Sequence, residues 1–554
     1  MSPTTAKDNL DSTQFVRVLD LIGEGETGGL VAGEKSVFFN NTPLENANGT
    51  KNFKDVLVEE RTGQSSQSVI GVTEHTSTTT NTNFSAIQQA SPNIIQLTNS
   101  SIDAVKLTIA VPQLQEVTDK GDIKGAEIEL KIEVQYSGGS YQTKVSGDDG
   151  KITGRTGDLY QRDYLIRLNG SFPVNIKLTR ITADSTNVRL TNDFTWTTYT
   201  QIIYDNRPYN NSALIGLRIS AEHLNNIPNR SYLVRGVKVA IPHNATVDSN
   251  NGALIFSGLF NGTLSTTKQT TSCPVWCLWD LLTNERYGLN LDANDLDIYS
   301  FYAASQYANA NNTRPSNSNN DYGPNGKHGI SDGFGGFEPR FSCNVNIQTA
   351  QEAYTIINQL CSVFRAQAFW AASVMIAQDA PQDATYLFSN SNVLDPGFTY
   401  ASSSQKTRTN VAVVKYFDNE LRDYQFEEVK DQTNINRYGS IVKNVDAFAC
   451  TSRGQANRLG KWLLYMENNS ETCSFVTSLT AGISLRVGQV IEIADDVKSG
   501  SRRSGRIASA TTTVITIDDA TGLTTSNTPF LSVMLPNNLS EKRAVSNISG
   551  NQIT

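Results

Sequence analysis

The sequence predicts a mainly β, multidomain protein with a mixed α/β segment in its second half. The chain has 554 residues, enough for roughly three to five domains of about 100–200 residues each. Apolar and polar residues alternate without a break over 126–136, as they do in a half-buried strand. Helical periodicity is concentrated in the second half of the chain.

Residues 101–200 predict an antiparallel β-sandwich. In the stretch AEIELKIEVQY the apolar side chains from Ala126 to Tyr136 face one side, and the polar side chains face the other. A Ser-Gly-Gly turn follows, and the same period of two recurs at 107–111 and 174–178. Several such strands separated by turns are typical of a sandwich.

The end of the chain, residues 471–554, predicts a small β-barrel. Short strand-like segments at 487–493, 506–508 and 514–517 are separated by polar residues and glycines. This pattern fits an SH3-like or OB-like barrel. OB folds often bind oligonucleotides or sugars, but this stretch lacks a set of interleaved aromatic residues for stacking, which favours a structural role.

The densest apolar segment is SCPVWCLWDLLTNERYG, residues 272–288. Its proline suits a first helical turn, its first serine can cap the helix, and its final glycine can end it. A helix that is apolar on nearly every side is expected to be buried. We therefore expect the two tryptophans of this segment to serve packing and not chemistry.

Further amphipathic helices are predicted at 293–307, 349–363 and 452–467. In the last of these, the positions i, i+3, i+4 and i+7 are Leu459, Trp462, Leu463 and Met466. The helices predicted at 272–288, 293–307 and 349–363 indicate a mixed α/β domain over 271–390. Between them, residues 309–337 are rich in Gly, Asn and Ser without a sustained period, which predicts a long exposed loop.

Charge and composition exclude several functional classes. Lys and Arg number 46 and Asp and Glu 54, giving a net charge of −8, which argues against a general nucleic-acid binder but leaves a local basic patch open. The sequence has no run of eighteen apolar residues and no signal-peptide pattern at its start. We therefore expect a soluble protein made in a cytoplasm.

The six cysteines are too sparse for a disulfide scaffold, and none forms a CxxC pair. Cys273 and Cys277 lie one helical turn apart and could present two thiolates to a metal ion. A zinc site needs further ligands, and no His or acidic cluster lies nearby in the sequence. Buried free thiols are the favoured interpretation.

Known catalytic and cofactor motifs give no convincing match. Residues 23–28, GEGETG, match the dinucleotide fingerprint, but two glutamates would lie beside the pyrophosphate and a strand-like segment follows, so a loop is favoured. The four histidines, His75, His223, His243 and His328, are far apart. The acidic pairs at 495–496 and 518–519 suggest a glycosidase or calcium site, although loop placement is preferred. We expect no enzyme activity, cofactor or metal.

Four sequence blocks carry a resemblance to a known family. They are KDNL…LIGEG…GEKSVFFNNTP within residues 7–43, WCLWDLLT…RYG at 276–288, DGFGGFEPRFSCN at 332–344 and DAFACTSRGQA at 446–456. In this order they resemble the tail-tip attachment, or host-specificity, protein J family of phage lambda and its relatives. The motif residues expected to form the structural core are Trp276, Cys277, Trp279, Arg286, Gly288, Gly333, Gly335, Arg453, Gly454 and Trp462.

The resemblance implies a siphophage baseplate hub, a structural virion protein that forms a homotrimer and ends the tail tube. Its implied partners are other tail-tip and tail-tube proteins and the tape-measure protein. It also implies β-barrel-like tube domains around the sandwich insertion. The predicted segments are a β hub segment at 1–100 that continues at 201–270, the sandwich at 101–200, the α/β hub domain at 271–390, a β/α hub segment at 391–470 and the small barrel at 471–554.

The chain departs from its longer relatives, which continue into fibronectin-like modules and a receptor-reading fibre. Receptor binding is therefore not carried over: either another protein supplies a central fibre, or this chain is an N-terminal portion. The role of the 309–337 loop stays open. Two alternative functions also stay open, an adhesin that binds envelope glycans through the sandwich and a glycan hydrolase that uses acids near 495–519.

Overall fold

The computed structural model describes residues 3–12, 15–71, 76–204, 207–221, 226–249, 251–310, 329–349, 351–402, 408–483, 485–500, 502–536 and 540–554. Strands hold 41% of the residues and helices 15%, so the prediction of a mainly β fold class is confirmed. The chain divides into two compact units, which we call unit 1 (Met1–Val237) and unit 2 (Lys238–Thr554).

Unit 1 is built mainly of β-strands. They are β1 (Phe15–Glu24), β2 (Thr27–Leu30), β3 (Val37–Phe39), β4 (Thr42–Pro43), β5 (Val56–Thr62), β6 (Thr76–Asn81), β7 (Asn93–Leu97), β8 (Ala104–Val111), β9 (Gln115–Val117), β10 (Ile123–Lys124), β11 (Ala126–Tyr136), β12 (Gln142–Val145), β13 (Lys151–Gly154), β14 (Tyr160–Arg167), β15 (Val174–Arg180), β16 (Leu190–Thr191), β17 (Thr195–Ile203), β18 (Ser212–Ser220), β19 (Arg230–Tyr232) and β20 (Val234–Val237).

Two antiparallel sheets of unit 1 form the sandwich. One has the strand order β14-β8-β17-β6, and the other has the order β12-β11-β15-β7 with β13 also paired to β11. Strand β11 has the bounds that the alternation predicts, and its side chains from Ile128 to Val134 include four that are fully buried. On its polar face Glu133 is also buried, because Lys131 and Lys177 both contact its carboxylate, at 2.7 and 2.5 Å.

The sandwich includes strands that precede the predicted start at residue 101. Strand β6 pairs with β17, and β7 pairs with β15. The sequence of β6, TSTTTN, has no apolar alternation, which is why periodicity does not reveal it. A separate three-stranded sheet has the order β1-β18-β5. In the sequence, β1 and β5 precede the sandwich strands and β18 follows them.

Unit 2 combines helices with short, mostly two-stranded sheets. Its helices are α1 (Pro274–Thr283), α2 (Ile298–Ala308), α3 (Ala353–Val363), α4 (Gln432–Tyr438), α5 (Arg453–Asn469), α6 (Leu479–Ile483) and α7 (Asp496–Ser499). Its strands are β21 (Ala245–Val247), β22 (Leu254–Phe256), β23 (Ile330–Ser331), β24 (Phe337–Glu338), β25 (Ala366–Trp370), β26 (Val374–Gln378), β27 (Tyr386–Ser389), β28 (Val393–Ala401), β29 (Val411–Asp418), β30 (Asp423–Lys430), β31 (Val442–Asp446), β32 (Thr472–Thr477), β33 (Ile491–Ala494), β34 (Ile507–Ala510), β35 (Ile515–Ile517), β36 (Phe530–Met534), β37 (Ser540–Ala544), β38 (Ile548–Ser549) and β39 (Gln552–Ile553).

Helix α1 is buried in an apolar cluster that it shares with α2, α3 and β26. Its tryptophan rings lie 5.8 Å apart, and Trp279 meets Phe301 of α2 edge-to-face at 5.0 Å. The helix begins at Pro274 with Cys273 as N-cap, one residue later than the predicted serine cap. It ends at Thr283, before the glycine predicted to end it, because the backbone of Asn284 turns to an extended conformation.

Helix α5 lies close to its predicted range, but its most buried side differs from the predicted one, although Leu459, Trp462 and Leu463 are half-buried. The predicted apolar positions include Met466, which is 39% exposed. The buried residues are instead Gly454, Gln455, Ala456, Gly460 and Leu464. A side defined by small residues is not visible to a hydrophobicity pattern, because glycine and alanine add little apolar surface.

The predicted C-terminal barrel is not closed. Within the described part of 471–554, strands β34, β35, β39 and β38 form an open sheet, and β36 and β37 form a hairpin. Strands β32 and β33 pair outside this segment, with β28 and β27 respectively. Barrel closure depends on pairing between distant strands, which turn spacing alone does not specify.

We predict that Trp279→Ala destabilises unit 2 by about 3–5 kcal/mol, because it removes a buried aromatic side chain from a packed cluster. The matched control is Trp370→Ala, since Trp370 is 66% exposed. Thermal unfolding of both variants measures the effect. Equal melting temperatures for the two variants would show that α1 is not part of the core.

Candidate functional site

Two of the four sequence blocks, 332–344 and 446–456, meet in unit 2 at a place that we call the junction, formed by residues 329–344 and 446–462. Strands β23 and β24 pair as a hairpin whose turn contains Gly333 and Gly335. Both glycines have positive φ, 84° and 98°, a region that glycine enters without steric cost. After the hairpin the chain passes close to the start of α1, where the backbone N–H of Cys343 donates to the carbonyl of Ser272 at 2.8 Å.

Glu338, at the end of β24, fixes the hairpin to α5. Its carboxylate accepts a hydrogen bond from Arg458 at 2.6 Å and a second from the hydroxyl of Ser452. The Ser452 hydroxyl also caps α5, accepting from the backbone N–H of Gln455 at 3.1 Å. One carboxylate thus holds both the first turn of the helix and the side chain of Arg458, which also donates to the carbonyl of Arg340 at 3.0 Å.

Gly454 makes this close approach possible. A methyl group at its Cα would lie 2.5 Å from Oε1 of Glu338 and 2.7 Å from the carbonyl oxygen of Asp332. One residue further on, the Gln455 amide exchanges hydrogen bonds with the backbone of Ser342 on both of its atoms, at 2.9 and 3.2 Å. The junction therefore combines close backbone packing with satisfied polar groups.

Arg453 lies on the outer side of the junction. Its Nε donates to Glu427 of β30 at 2.7 Å, and its guanidinium lies over the Phe334 ring at 4.1 Å. The same carboxylate group accepts from Asn457 at 2.8 Å. The arginine thus links the hairpin turn, the helix and the sheet that contains β30.

Trp462 lies nine residues after Arg453 in α5, about two and a half turns along the helix, beside a pocket of about 560 Å³. Its indole N–H donates to Asp379 at 3.0 Å, and Arg365 lies over its ring at 5.5 Å.

The structure does not bring all the predicted core residues together. Trp276 and Trp279 are buried in α1, and Cys277 beside them is half-buried. Arg286 is exposed. Gly288 lies where a Cβ would come 2.3 Å from the carbonyl oxygen of Leu281, so it permits a tight turn after the helix. The five remaining residues, Gly333, Gly335, Arg453, Gly454 and Trp462, lie at the junction.

Sequence reasoning missed the polar residues that hold the junction together. Glu338, Arg458, Gln455 and Ser342 were not predicted as site residues, although Glu338 and Ser342 lie inside one quoted block and Gln455 in another. Each contact joins residues more than 110 positions apart. A charged residue within a Gly- and aromatic-rich block was the available signal, but the sequence does not identify its partner.

The other motifs lie in turns and caps. Residues 23–28 join the end of β1 to the start of β2, so a strand and not a helix follows the glycines. Asp495 caps α7, and Asp518 pairs with Arg502 at 2.5 Å, which lowers the pKa of Asp518. His243 is exposed and stacks on Phe260.

Several residues named in the sequence analysis lie outside the described residues. They are His75, His223 and His328 and most of the 309–337 loop, of which 309–310 and 329–337 are described. Where the structure is described, no group of three or more His, Cys, Asp or Glu side chains is arranged to hold a metal ion. Nor is any of the described helices both long and apolar enough to cross a membrane.

Burial suppresses thiolate formation at Cys277, Cys343, Cys361 and Cys450. It raises the pKa of Cys343 to about 12 and those of Cys361 and Cys450 to about 11. The pKa of Cys277 is raised well above its ordinary value, chiefly by burial and then by Cys343. Since the thiolate is the form that binds metals and attacks electrophiles, these side chains behave as apolar packing groups.

Each of the two units contains a segment that matches a family model from phage tail proteins. Residues 76–205 match the model of the FNIII-A domain of tip attachment protein J, and residues 352–510 match a model described as a putative phage tail protein. The chain is 32% identical to tip attachment protein J of Escherichia phage SECphi27 over 91% of its length, and 30% identical to that of Escherichia phage SECphi4 over 100%. It covers 41% and 47% of those two proteins. The predicted resemblance to the protein J family is thus confirmed.

A solved structure, the 43 kDa tail protein of prophage MuSo2 from Shewanella oneidensis, is similar over 77% of this chain and 94% of that one. The sequence identity is 11% and the TM-score is 0.23. This likeness is too low to support an argument. The chain spans less than half the length of the two tip attachment proteins that it matches.

We predict that Gly454→Ala loosens the hairpin from α5 and costs about 1–3 kcal/mol, because the added methyl overpacks the junction. Hydrogen exchange of the backbone amides in β23 and β24 measures the loosening. The matched control is Gly482→Ala in α6, where a methyl group meets nothing within 4 Å. Unchanged exchange in both variants would contradict the role of Gly454.

We predict that Cys343, Cys361 and Cys450 resist iodoacetamide in the native protein at pH 8 and react after unfolding. Their pKa values are higher in the folded than in the unfolded state, so their contribution to stability is present below about pH 8.5 and is lost as pH rises toward 11–12. Mass spectrometry of labelled peptides reads the result. Half-buried Cys473 is the internal comparison, and labelling of the three buried thiols as fast as Cys473 would refute the prediction.

Proposed function

We propose that this chain forms the structural hub of a siphophage tail tip, in which three copies close a ring that ends the tail tube. The observation that carries this proposal is the similarity to two tip attachment proteins over 91% and 100% of the chain. The hub connects the tube to host-attachment components of the virion. Its partners are other tail-tip and tail-tube proteins and the tape-measure protein.

The physical construction of unit 2 supports a structural role. A closed ring of identical subunits needs heterologous contacts at a fixed angle, and a flexible subunit would not close reproducibly. The junction supplies local rigidity, because Glu338, Gln455 and Gly454 fix α5 against the hairpin through several independent contacts. The buried tryptophans of α1 serve the same purpose by filling the neighbouring cluster.

We propose no catalytic role for the described residues. The acidic pairs that suggested a glycosidase serve as a helix cap at Asp495 and as ion-pair partners of Arg502 at Asp518 and Asp519. Adhesin function of the sandwich is likewise not proposed, because no observation favours it. We keep the six segments of the sequence analysis as our proposed division of the hub, with the sandwich extended to begin at β6.

We predict that the purified chain forms a trimer with three times its mass of 60.6 kDa. Native mass spectrometry gives the mass, and negative-stain images are expected to show a threefold ring with a central hole. In phage assembly, the chain is expected to enter tails. A monodisperse monomer at high concentration that does not enter tails would contradict the proposal.

Trp279→Ala and Trp370→Ala serve as a matched pair in the same assay. The first is expected to lower the trimer yield, because the subunit core is loosened, and the second to leave it unchanged. Loss of the trimer in both variants would show that the trimer yield does not depend on whether the replaced tryptophan is buried, which would contradict the role of core packing. Release of sugar from envelope glycans by the wild-type trimer would favour the hydrolase instead.

A further inference from the structure

The pocket beside Trp462 has the dimensions and lining of a ligand site. Its volume of about 560 Å³ lies within the range of small-molecule and peptide side-chain pockets, and such pockets are mostly apolar with a few polar groups. Its apolar lining includes Phe341, Val363, Phe448, Leu459 and Trp462, and its basic lining comprises Arg340, Arg365 and Arg458.

Two of the three arginines already have acidic partners. Arg458 is paired with Glu338 at 2.6 Å, and Arg365 lies 3.7 Å from Asp379. A further acidic residue of the lining, Asp446, is exposed. The charge of Arg458 and that of Arg365 are therefore largely balanced within the protein.

Arg340 has no carboxylate partner among the described residues. Its Nε donates to the carbonyl of Tyr307 at 3.2 Å, and its guanidinium lies over the Tyr307 ring at 4.4 Å. Burial lowers the pKa of Arg340, and the nearby charges of Arg365 and Arg458 lower it further. In addition, the Nε of Arg365 is buried without a hydrogen-bond acceptor in the described structure. A buried hydrogen-bond donor without an acceptor costs free energy, which a ligand could recover by accepting the bond.

The chemistry of the lining selects one class of ligand. A guanidinium binds a carboxylate through two parallel hydrogen bonds, and the aromatic lining accommodates an adjacent apolar side chain. A phosphate carries more negative charge and would lie near the lining carboxylates of Asp379 and Asp446, so a single carboxylate would meet less repulsion there. We propose that this pocket binds an acidic side chain flanked by apolar or aromatic residues, on a peptide segment of a partner tail protein. The choice of a protein partner rests on the proposed function.

The test uses the full chain and a synthetic set of acetylated, amidated tripeptides. Each has Asp or Glu at its centre and Leu, Phe or Tyr on either side, and each is paired with the corresponding Asn or Gln peptide. Isothermal titration calorimetry measures binding, and inorganic phosphate serves as a competitor. At least one acidic peptide is expected to bind about tenfold more tightly than its amide counterpart.

Arg340→Met removes the charge and keeps most of the side-chain length, and it is expected to abolish the preference for the acidic peptide. The matched control is Arg437→Met, because Arg437 is exposed and its guanidinium lies over the ring of Tyr438 at 5.2 Å. This control is expected to bind like the wild type. Melting curves of both variants exclude unfolding as the cause.

Three results would overturn the proposal. They are equal binding of acidic and amide peptides, retention of the acidic preference in Arg340→Met, and displacement of the acidic peptide by phosphate at lower concentration than by a competing acidic peptide. Native mass spectrometry of the same samples reports the trimer separately. A trimer that lacks the peptide preference would remove the pocket proposal and leave the proposed hub in place.

Discussion

The close approach of α5 to its neighbours is the constraint on which the arrangement of unit 2 depends. At Gly454 the helix lies against the hairpin, and at Gly460 it lies against the sheet, where a methyl group would come 2.7 Å from a side-chain carbon of Val429. Neither approach is possible with a larger residue unless the neighbour moves. The absence of two side chains therefore sets the position of the helix, and the polar contacts of Glu338 and Gln455 follow from that position.

The ion pair between Glu338 and Arg458 orients the junction more than it stabilises it. The side chains are 18% and 25% exposed, so solvent screens part of their attraction and desolvation offsets another part. The same carboxylate also accepts from Ser452, and the same guanidinium donates to two backbone carbonyls. These directional contacts fix the placement of the hairpin against the helix.

Local patterns predicted the strongly periodic strands and the longer helices α1, α2, α3 and α5, whereas strands without alternation, such as β6, and contacts between distant residues were beyond them. The strand β11 follows its alternation because successive side chains point to opposite faces, and α1 follows from its apolar composition. The barrel was wrong because closure depends on which distant strands pair. The buried side of α5 was missed because glycines mark it, and the partners of Glu338 lie more than 110 residues away.

The segment 341–344 explains why the Trp-rich helix and the junction belong to one structure. Phe341 donates its backbone N–H to the carbonyl of Ala308 at the end of α2, and Cys343 donates to Ser272 before α1. Between them, Ser342 exchanges hydrogen bonds with Gln455 of α5. Consecutive residues thus bond alternately to the apolar cluster and to the junction. We therefore expect that a displacement of α1 after loss of a tryptophan also shifts the 341–344 backbone, and with it the contacts between Ser342 and Gln455 of α5.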